Sequence, residues 1–477
     1  MTVPWWGVLP FAMLLGCIAT FPLMPMTKKL WHHTWFQLVV ALLFGVPMGI
    51  WMWFAGNHHG VVHALVEYAQ FITLLLSLYV VSGGIFVSGD IRATSRNNVI
   101  FLAIGGALAS FIGTTGAAML MIRPLLNINA ERQNKVHTVV FAIFVVANCG
   151  GLLTPLGDPP LFLGMLRGVP FLWTMSLLPE WLFVNGLLLL GYYALDRKLY
   201  ALEPPAAILA DNTQIEPIGI KGKLGFVWLA LIVACVATVP SVDLHAIFEG
   251  HAHWTNYMPF REIGMLTVGA ISLLGGNKQV RFENNKFSWG PILEVAALFI
   301  GIFLAMIPAL KYLAQVAPTL PLNEVTFFAF AGGLSSVLDN APTYVTFFEM
   351  ARELPGPERI GFAPGVPQLY LVSISLGAVF CGAVTYIGNG PNFMVKSIAE
   401  SAHVEMPSFG AYTFKWAFRY LLPVLLMMVL IFIVQDWRVR VIGVLMALVR
   451  VAHDIWQASR YHDPHARVAT PMQVSRR

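Results

Sequence analysis

Two acids sit where long apolar runs are interrupted. Asp158 belongs to Thr154-Pro155-Leu156-Gly157-Asp158-Pro159-Pro160, and Asp339 to Leu338-Asp339-Asn340-Ala341-Pro342-Thr343. A carboxylate near a bilayer centre costs roughly 3 kcal/mol on insertion scales, so it is seldom there without a partner or a task. Burial disfavours its charged form and a bound cation favours it. One such group can hold either H+ or Na+, and competition between the two is exchange chemistry. Thr154, Thr114, Thr115, Asn340, Thr385 and Asn389 add hydroxyl and amide oxygens, the ligands that hard cations take. These six are read as ligands or orienters, with Na+ expected at Asp158, Thr154, Asp339 and Asn340. Asn148 is a further ligand or a helix–helix hydrogen bond. Ser335, with Ser336, Ser373 and Ser375, offers hydroxyls, although small residues also serve close packing. Helix capping is the competing reading of both acids, since Asp caps well.

The glycines and prolines around these acids say how they are positioned. Proline removes a backbone donor and clashes with the preceding turn, so no regular helix passes through Cys149 to Pro160. The flanks, 139–146 and 161–166, are strongly apolar. A helix broken at membrane depth frees carbonyls and amides, which is tolerated only where they line a cavity or lie inside protein. Thr385-Tyr386-Ile387-Gly388-Asn389-Gly390-Pro391 repeats the pattern T-x-x-G-[D/N]-x-P of Thr154 to Pro160. Cys149-Gly150 and Cys381-Gly382 each stand a few residues before a break. Paired breaks in corresponding halves point to the binding site of a secondary transporter. Half-helix N-termini favour anions and C-termini favour cations, so the breaks by themselves admit a substrate of either sign.

Composition agrees with a membrane setting. Of 477 residues, 57% are hydrophobic and 11% charged, against about 25% charged in soluble domains. The net charge of +5 is spread over loops and tail, which fits the positive-inside bias and argues against a nucleic-acid partner. Cys17, Cys149, Cys235 and Cys381 lie in apolar segments without metal or disulfide spacing. Met1 to Trp6 has no basic stretch and reads as the start of a first span, not as a signal peptide.

The chain then reads as all-α and polytopic: two inverted-topology repeats with about 10 transmembrane helices, two of them broken, and two re-entrant hairpins. The first repeat covers 1–196. It holds spans near 4–24, 34–54 and 66–88, a hairpin at 97–126 turning at Gly113-Thr114-Thr115-Gly116, a broken helix at 137–167 and a plain span at 177–195. Each hairpin arm of about 14 residues reaches only about 21 Å, too short to cross. Residues 197–222 form a cytoplasmic linker. The second repeat, 223–436, has spans near 223–240, 258–275 and 289–315, a hairpin at 322–351, a broken helix at 367–399 and a plain span at 412–435. With hairpins not crossing, each half crosses five times, which inverts the second. Loops assigned to the inside carry Lys28, Lys29, Arg92, Arg132, Lys278, Arg281 and Lys286, among others, and outside segments carry far fewer basic residues. Residues 437–477 read as a basic amphipathic tail. Glu294 is a proton-path candidate within a span. Glu67 is expected at an interface, and His58, His59 and His63 in a solvated loop.

Four motifs together, Ala109 to Ala117, Gly150 to Pro160, Leu338 to Thr343 and Tyr386 to Asn392, resemble the NhaD-type sodium/proton antiporters. These belong to the ion transporter superfamily, with the arsenite, citrate and divalent-anion/sodium carriers. The resemblance covers most of residues 65–400. It implies a homodimer in a bacterial inner membrane, elevator-type alternating access, and functional roles for Asn148, Asp158, Ser335, Asp339 and Asn340. The sodium-coupled dicarboxylate branch has Ser-Asn-Thr at both hairpin tips, where this chain has Gly-Thr-Thr and Asp-Asn-Ala. The expected function is exchange of Na+ or Li+ for H+ without a bound cofactor. The alternative is carriage of arsenite or a carboxylate such as citrate. An enzyme is not expected: Glu249-Gly250-His251-Ala252-His253 lacks a partner at metal spacing, and no HExxH or Walker loop occurs.

Overall fold

In lipid a backbone must satisfy its own N–H and C=O groups, so the apolar runs become helices. The computed structural model describes residues 2–461 apart from 23, 32 and 214. Among them six helices are long and apolar enough to cross a bilayer: Thr34–Phe54, His58–Ser82, Ser95–Ile112, Phe171–Tyr200, Gly290–Thr319 and Phe409–Ile433. Four shorter apolar helices accompany them: Trp5–Thr20, Val136–Leu152, Leu224–Thr238 and Gln368–Val384. The chain is an all-α polytopic membrane protein.

The helices pack in two groups. The first comprises Leu9–Thr20, Thr34–Phe54, His58–Ser82, Leu224–Thr238, Phe260–Gly275 and Gly290–Val316. At its centre Gly45 and Gly301 bring two helices into backbone contact; a Cβ on Gly45 would lie 2.7 Å from Gly301 Cα. Small residues at such crossings are how apolar helices associate where water gives no drive.

The second group holds the interrupted elements. Helices Ser95–Ile112 and Thr114–Ile128 fold back on each other at Gly113, whose φ of 80° suits glycine. Glu324–Ser335 and Asn340–Arg352 form the corresponding pair. The first broken helix has arms Val136–Val145 and Pro159–Leu166, and the second has arms Gln368–Cys381 and Gly390–Ser401. Phe171–Tyr200, Phe409–Ile433 and Trp437–Arg460 pack around them.

Several boundaries differ from the sequence reading. The arms of the first helix pair, expected to be equal and too short to cross, are 18 and 15 residues long, and the first, Ser95–Ile112, is long and apolar enough to cross; Thr94 caps it early by accepting from Asn97 N at 3.2 Å. The third span begins at His58, so His58, His59 and His63 are helical and not in a loop. The expected linker holds regular elements on its described residues. A helix continues to Tyr200, a second runs Pro205–Thr213, and strand β2 (Glu216–Lys221) pairs antiparallel with β1 (Phe86–Asp90), Phe86 opposite Lys221. Asp211 anchors it by accepting from Ala93 N at 2.9 Å. In the tail, Asp436 caps the 24-residue helix Trp437–Arg460. Gly443 packs on Leu430 and Ile431 while Trp437, Leu445, Leu448 and Val449 stay exposed. Residues 462–477 of the expected tail lie outside the described residues.

Candidate transport site

Each broken helix is tied open by the same local chemistry. In the first, Gly157 passes so close to Gly151 that a Cβ on Gly157 would sit 2.1 Å from the Gly151 carbonyl oxygen. The Thr154 hydroxyl donates to the Ser110 carbonyl and accepts from Leu156 N. Ser110 Oγ donates to Gly150 O at 2.5 Å and accepts from Leu153 N at 3.1 Å. In the second, the Thr385 hydroxyl donates to Ser336 O and accepts from Ile387 N, and Ser335 Oγ donates to Ala378 O at 2.6 Å. These side chains supply the hydrogen bonds that the missing helical turns cannot.

Asp158 is 1% exposed and stands at the N-terminus of Pro159–Leu166 without capping it. Its carboxylate instead gathers three other tips. Oδ1 accepts from Thr114 Oγ1 at 2.9 Å and from Asn389 Nδ2 at 3.2 Å. Oδ2 accepts from Asn340 Nδ2. Asn389 Nδ2 also lies 3.2 Å from Asn148 Oδ1 and from Ala147 O. Asn148 Nδ2 donates to Asn392 Oδ1 at 2.6 Å. Asn340 Oδ1 is buried without a donor. Asp339 does cap, accepting from Ala341 N at 3.0 Å.

The structure therefore gathers Asp158, Thr114, Asn340, Asn389 and Asn148 in one network. Thr115 and Asp339 line the neighbouring cavity. Thr154, Thr385 and Ser335, expected among the ligands, are turned to backbone carbonyls, because the broken turns need those hydroxyls more. Sequence reasoning passed over Ser110 and Asn392. Asn392 is visible in Gly390-Pro391-Asn392, where an amide interrupts an apolar arm; Ser110, in Ala109-Ser110-Phe111, carries no such signal.

A cavity of about 530 Å3 opens beside this network. Thr114, Asp158, Asp339 and Asn389 line it from the second group, and Gln37, Phe71, Leu74, Glu294 and Phe299 from the first. It uses the last turns of His58–Ser82 and the first turns of Gly290–Val316, the ends nearest Arg281 and Lys286. On the other half the two groups are clamped together. Arg167, at the end of Pro159–Leu166, lies with Nη1 2.8 Å from Glu67 Oε1 and donates from Nε to Glu349 Oε1 at 3.0 Å. Glu67 is 3% exposed, so it is a buried ion-pair partner and not an interfacial residue.

The electrostatics are unusual. Four helices begin at this point, at Thr114, Pro159, Asn340 and Gly390, each turning its positive dipole end toward the centre. Among the described residues lining the cavity none is Lys, Arg or His, and three are carboxylates: Asp158, Asp339 and Glu294. No group of three His, Cys, Asp or Glu among the described residues is placed to hold a metal ion.

Against known proteins, residues 1–433 match the model of a family described as "Putative citrate transport". The chain belongs to this citrate-transport family. It is also 26% identical over 341 residues to a "46 kDa membrane protein" of Mycobacterium leprae (strain TN), spanning 66% of this chain and 71% of the relative. Membership of the citrate-transport family makes the chain a membrane transporter of the secondary type. The match favours the carboxylate-carrier alternative over the sodium/proton antiporter branch suggested by the motifs.

Proposed function

We propose that this chain is a cation-coupled carrier of a carboxylate of the citrate kind in a bacterial plasma membrane, with Asp158 holding the coupling H+ or Na+. The observation that carries this reading is the meeting of four helix N-termini at one buried carboxylate beside the cavity. Helix N-termini recognise a carboxylate without any basic side chain. Asp158, held only by neutral donors, is the group that a proton or cation neutralises. Three carboxylates around the cavity repel a bare polyanion. The cargo therefore enters with its charge offset, as a protonated or cation-bound form. Asn340 supports the coupling role. Its amide now points nitrogen at Asp158, and turning over would bring oxygen there, which is favourable only with a proton or cation between the two.

The test is uptake of radiolabelled citrate into proteoliposomes under an imposed proton or Na+ gradient. Gradient-driven accumulation, lost in Asp158→Asn, is expected. The absence of carboxylate flux under any gradient would reject the cargo. A second reading, exchange of Na+ or Li+ for H+, is favoured by the acidic and non-basic cavity wall. It requires Na+ to collapse a proton gradient in the same vesicles with no carboxylate present.

A further inference from the structure

Helix Trp437–Arg460 lies beyond the residues matched by the family model. Its direction follows from contacts at three levels of helix Leu178–Tyr200. At the first level Phe183 meets Phe432, a few residues before Trp437, with ring centres 5.5 Å apart. At the second, a Cβ on Gly191 would lie 2.9 Å from Arg450 Nη2 and 3.5 Å from Asp454 Oδ2. At the third, Arg197 donates to the carbonyl of Tyr461, which follows Arg460. The two helices therefore run side by side in one direction. Phe409–Ile433 runs the opposite way: Tyr420 and Tyr192 both pack on Phe141, while Phe432 reaches back to Phe183. Phe171–Tyr200 and Phe409–Ile433 are both long and apolar enough to cross a bilayer. Trp437–Arg460 thus retraces the depth that Phe409–Ile433 has covered.

Its burial is inverted relative to a helix in water, which hides an apolar stripe and shows a polar face. Gly443, Ala447, Asp454 and Ala458 are the buried residues. Val441, Ile442, Leu445, Leu448 and Val449 are exposed. Arg450, which interrupts the apolar run, donates from Nε to the buried Asp454 at 2.7 Å; charged residues inside a membrane pair in this way and face protein. Trp437 and Trp456 are both exposed, with Arg438 and Arg460 placed 5.8 and 3.6 Å from their ring centres. The two tryptophans are separated by about 28 Å at 1.5 Å per residue, close to the roughly 30 Å of the hydrocarbon layer. Tryptophans gather at both membrane–water boundaries.

We infer that Trp437–Arg460 is a further membrane crossing, that acyl chains cover its exposed apolar face, and that it returns the chain to the membrane face carrying residues 197–222. Lipid is the occupant because an aromatic–arginine pair stands at each headgroup level. The inference does not depend on which cargo or ion is carried.

Cysteine labelling of the full-length protein in sealed membrane vesicles of one orientation tests it. The parent has Cys17 and Cys235 replaced by Ser and keeps Cys149 and Cys381, which are buried. Leu202→Cys, in the linker, identifies its face. Gln435→Cys and Ser459→Cys report the two ends of the helix, and Val449→Cys its middle; all four side chains are exposed, and each variant should melt like the parent in detergent. An impermeant maleimide applied to the face that labels Leu202→Cys should label Ser459→Cys and leave Gln435→Cys unmodified, and the reverse should hold from the other face. Val449→Cys should resist the reagent from both faces and form no disulfide between chains. Labelling of Gln435→Cys and Ser459→Cys from one and the same face would overturn the crossing. A Val449→Cys disulfide between two chains in the membrane would give the apolar face to a second copy and overturn its covering by lipid.

Discussion

At Asp158 three neutral donors meet one carboxylate, and two threonines show how differently one residue type is used. Thr114 donates to Asp158, whereas Thr154 ties its loop to the Ser110 carbonyl. A hydrogen bond to a charged group contributes about 1.5–3 kcal/mol, so Thr114→Val is expected to slow coupled uptake at least about tenfold while the protein melts normally in detergent. Thr154→Val should do the reverse in kind: its main effect is a lowered melting temperature, because a buried carbonyl loses its donor. Equal effects of both on both readouts would contradict this division. Sequence alone located Asp158, since an acid between Gly157 and Pro159 inside apolar arms has few innocent explanations. It could not separate these threonines, because both sit at breaks and only the fold decides which hydroxyl faces the carboxylate. Asp339 illustrates the same limit: it satisfies the capping expectation through Ala341 N and also lines the cavity.

At the scale of elements, helix Pro159–Leu166 links the site to the clamp, with Asp158 before its first residue and Arg167 after its last. Arg167 joins this helix to Glu67 of the first group and to Glu349 of the second hairpin. Removing one partner of a buried ion pair costs roughly 3–5 kcal/mol because the other charge stays buried. Glu67→Gln should therefore loosen the clamped half. A cysteine at Ser397, which lines the cavity, should then react more slowly with a thiol reagent applied from the basic face. Unchanged labelling would mean that the pair is structural only. Such a clamp was invisible in the sequence: its members are 100 and 182 positions apart, and no periodicity links them. The β1–β2 pair was equally hidden, since Phe86-Val87-Ser88 reads as the end of the third span and Glu216–Lys221 as linker. There Asp90 is pushed up to about 6 by its partial burial and by Glu131, Asp211 and Glu216 nearby. Its folded value lies above its unfolded one, so its contribution is fully present below the ordinary carboxylate range and is lost as pH rises through about 6. Amides of 86–90 and 216–221 should be better protected from hydrogen exchange at pH 5 than at pH 7, after correction for intrinsic rates, and Asp90→Asn should remove the difference.

At the scale of the whole molecule, one packing group holds Asp158 and both breaks, and the other supplies the opposite wall of the cavity. The breaks and the repeated motif brought the four tips together in the sequence reading, but that reading divided the chain into two successive repeats, whereas each packing group draws helices from both halves. Which helices form each group was not legible, because glycine contacts such as Gly45–Gly301 look like any other small residue in an apolar run. If the proposed coupling residue Asp158 is carried from one membrane face to the other, the first hairpin tip must slide along helix His58–Ser82. That contact is narrow: a Cβ on Gly116 would lie 3.3 Å from the Ser82 Cβ, close to the roughly 3.5–4.5 Å that a disulfide spans. Ser82→Cys with Gly116→Cys, in a chain with Cys17 and Cys235 replaced by Ser, should form a cross-link under mild oxidation. Cys149 and Cys381 are buried and can remain. The oxidised protein should lose transport yet keep cation binding at Asp158, since the cavity stays as it is. Reduction should restore transport. If the cross-linked protein carried cargo at the uncrosslinked rate, the two groups would not move past each other at this surface, and alternating access would have to arise within the second group, by hinging at the breaks around Gly113 and Gly157.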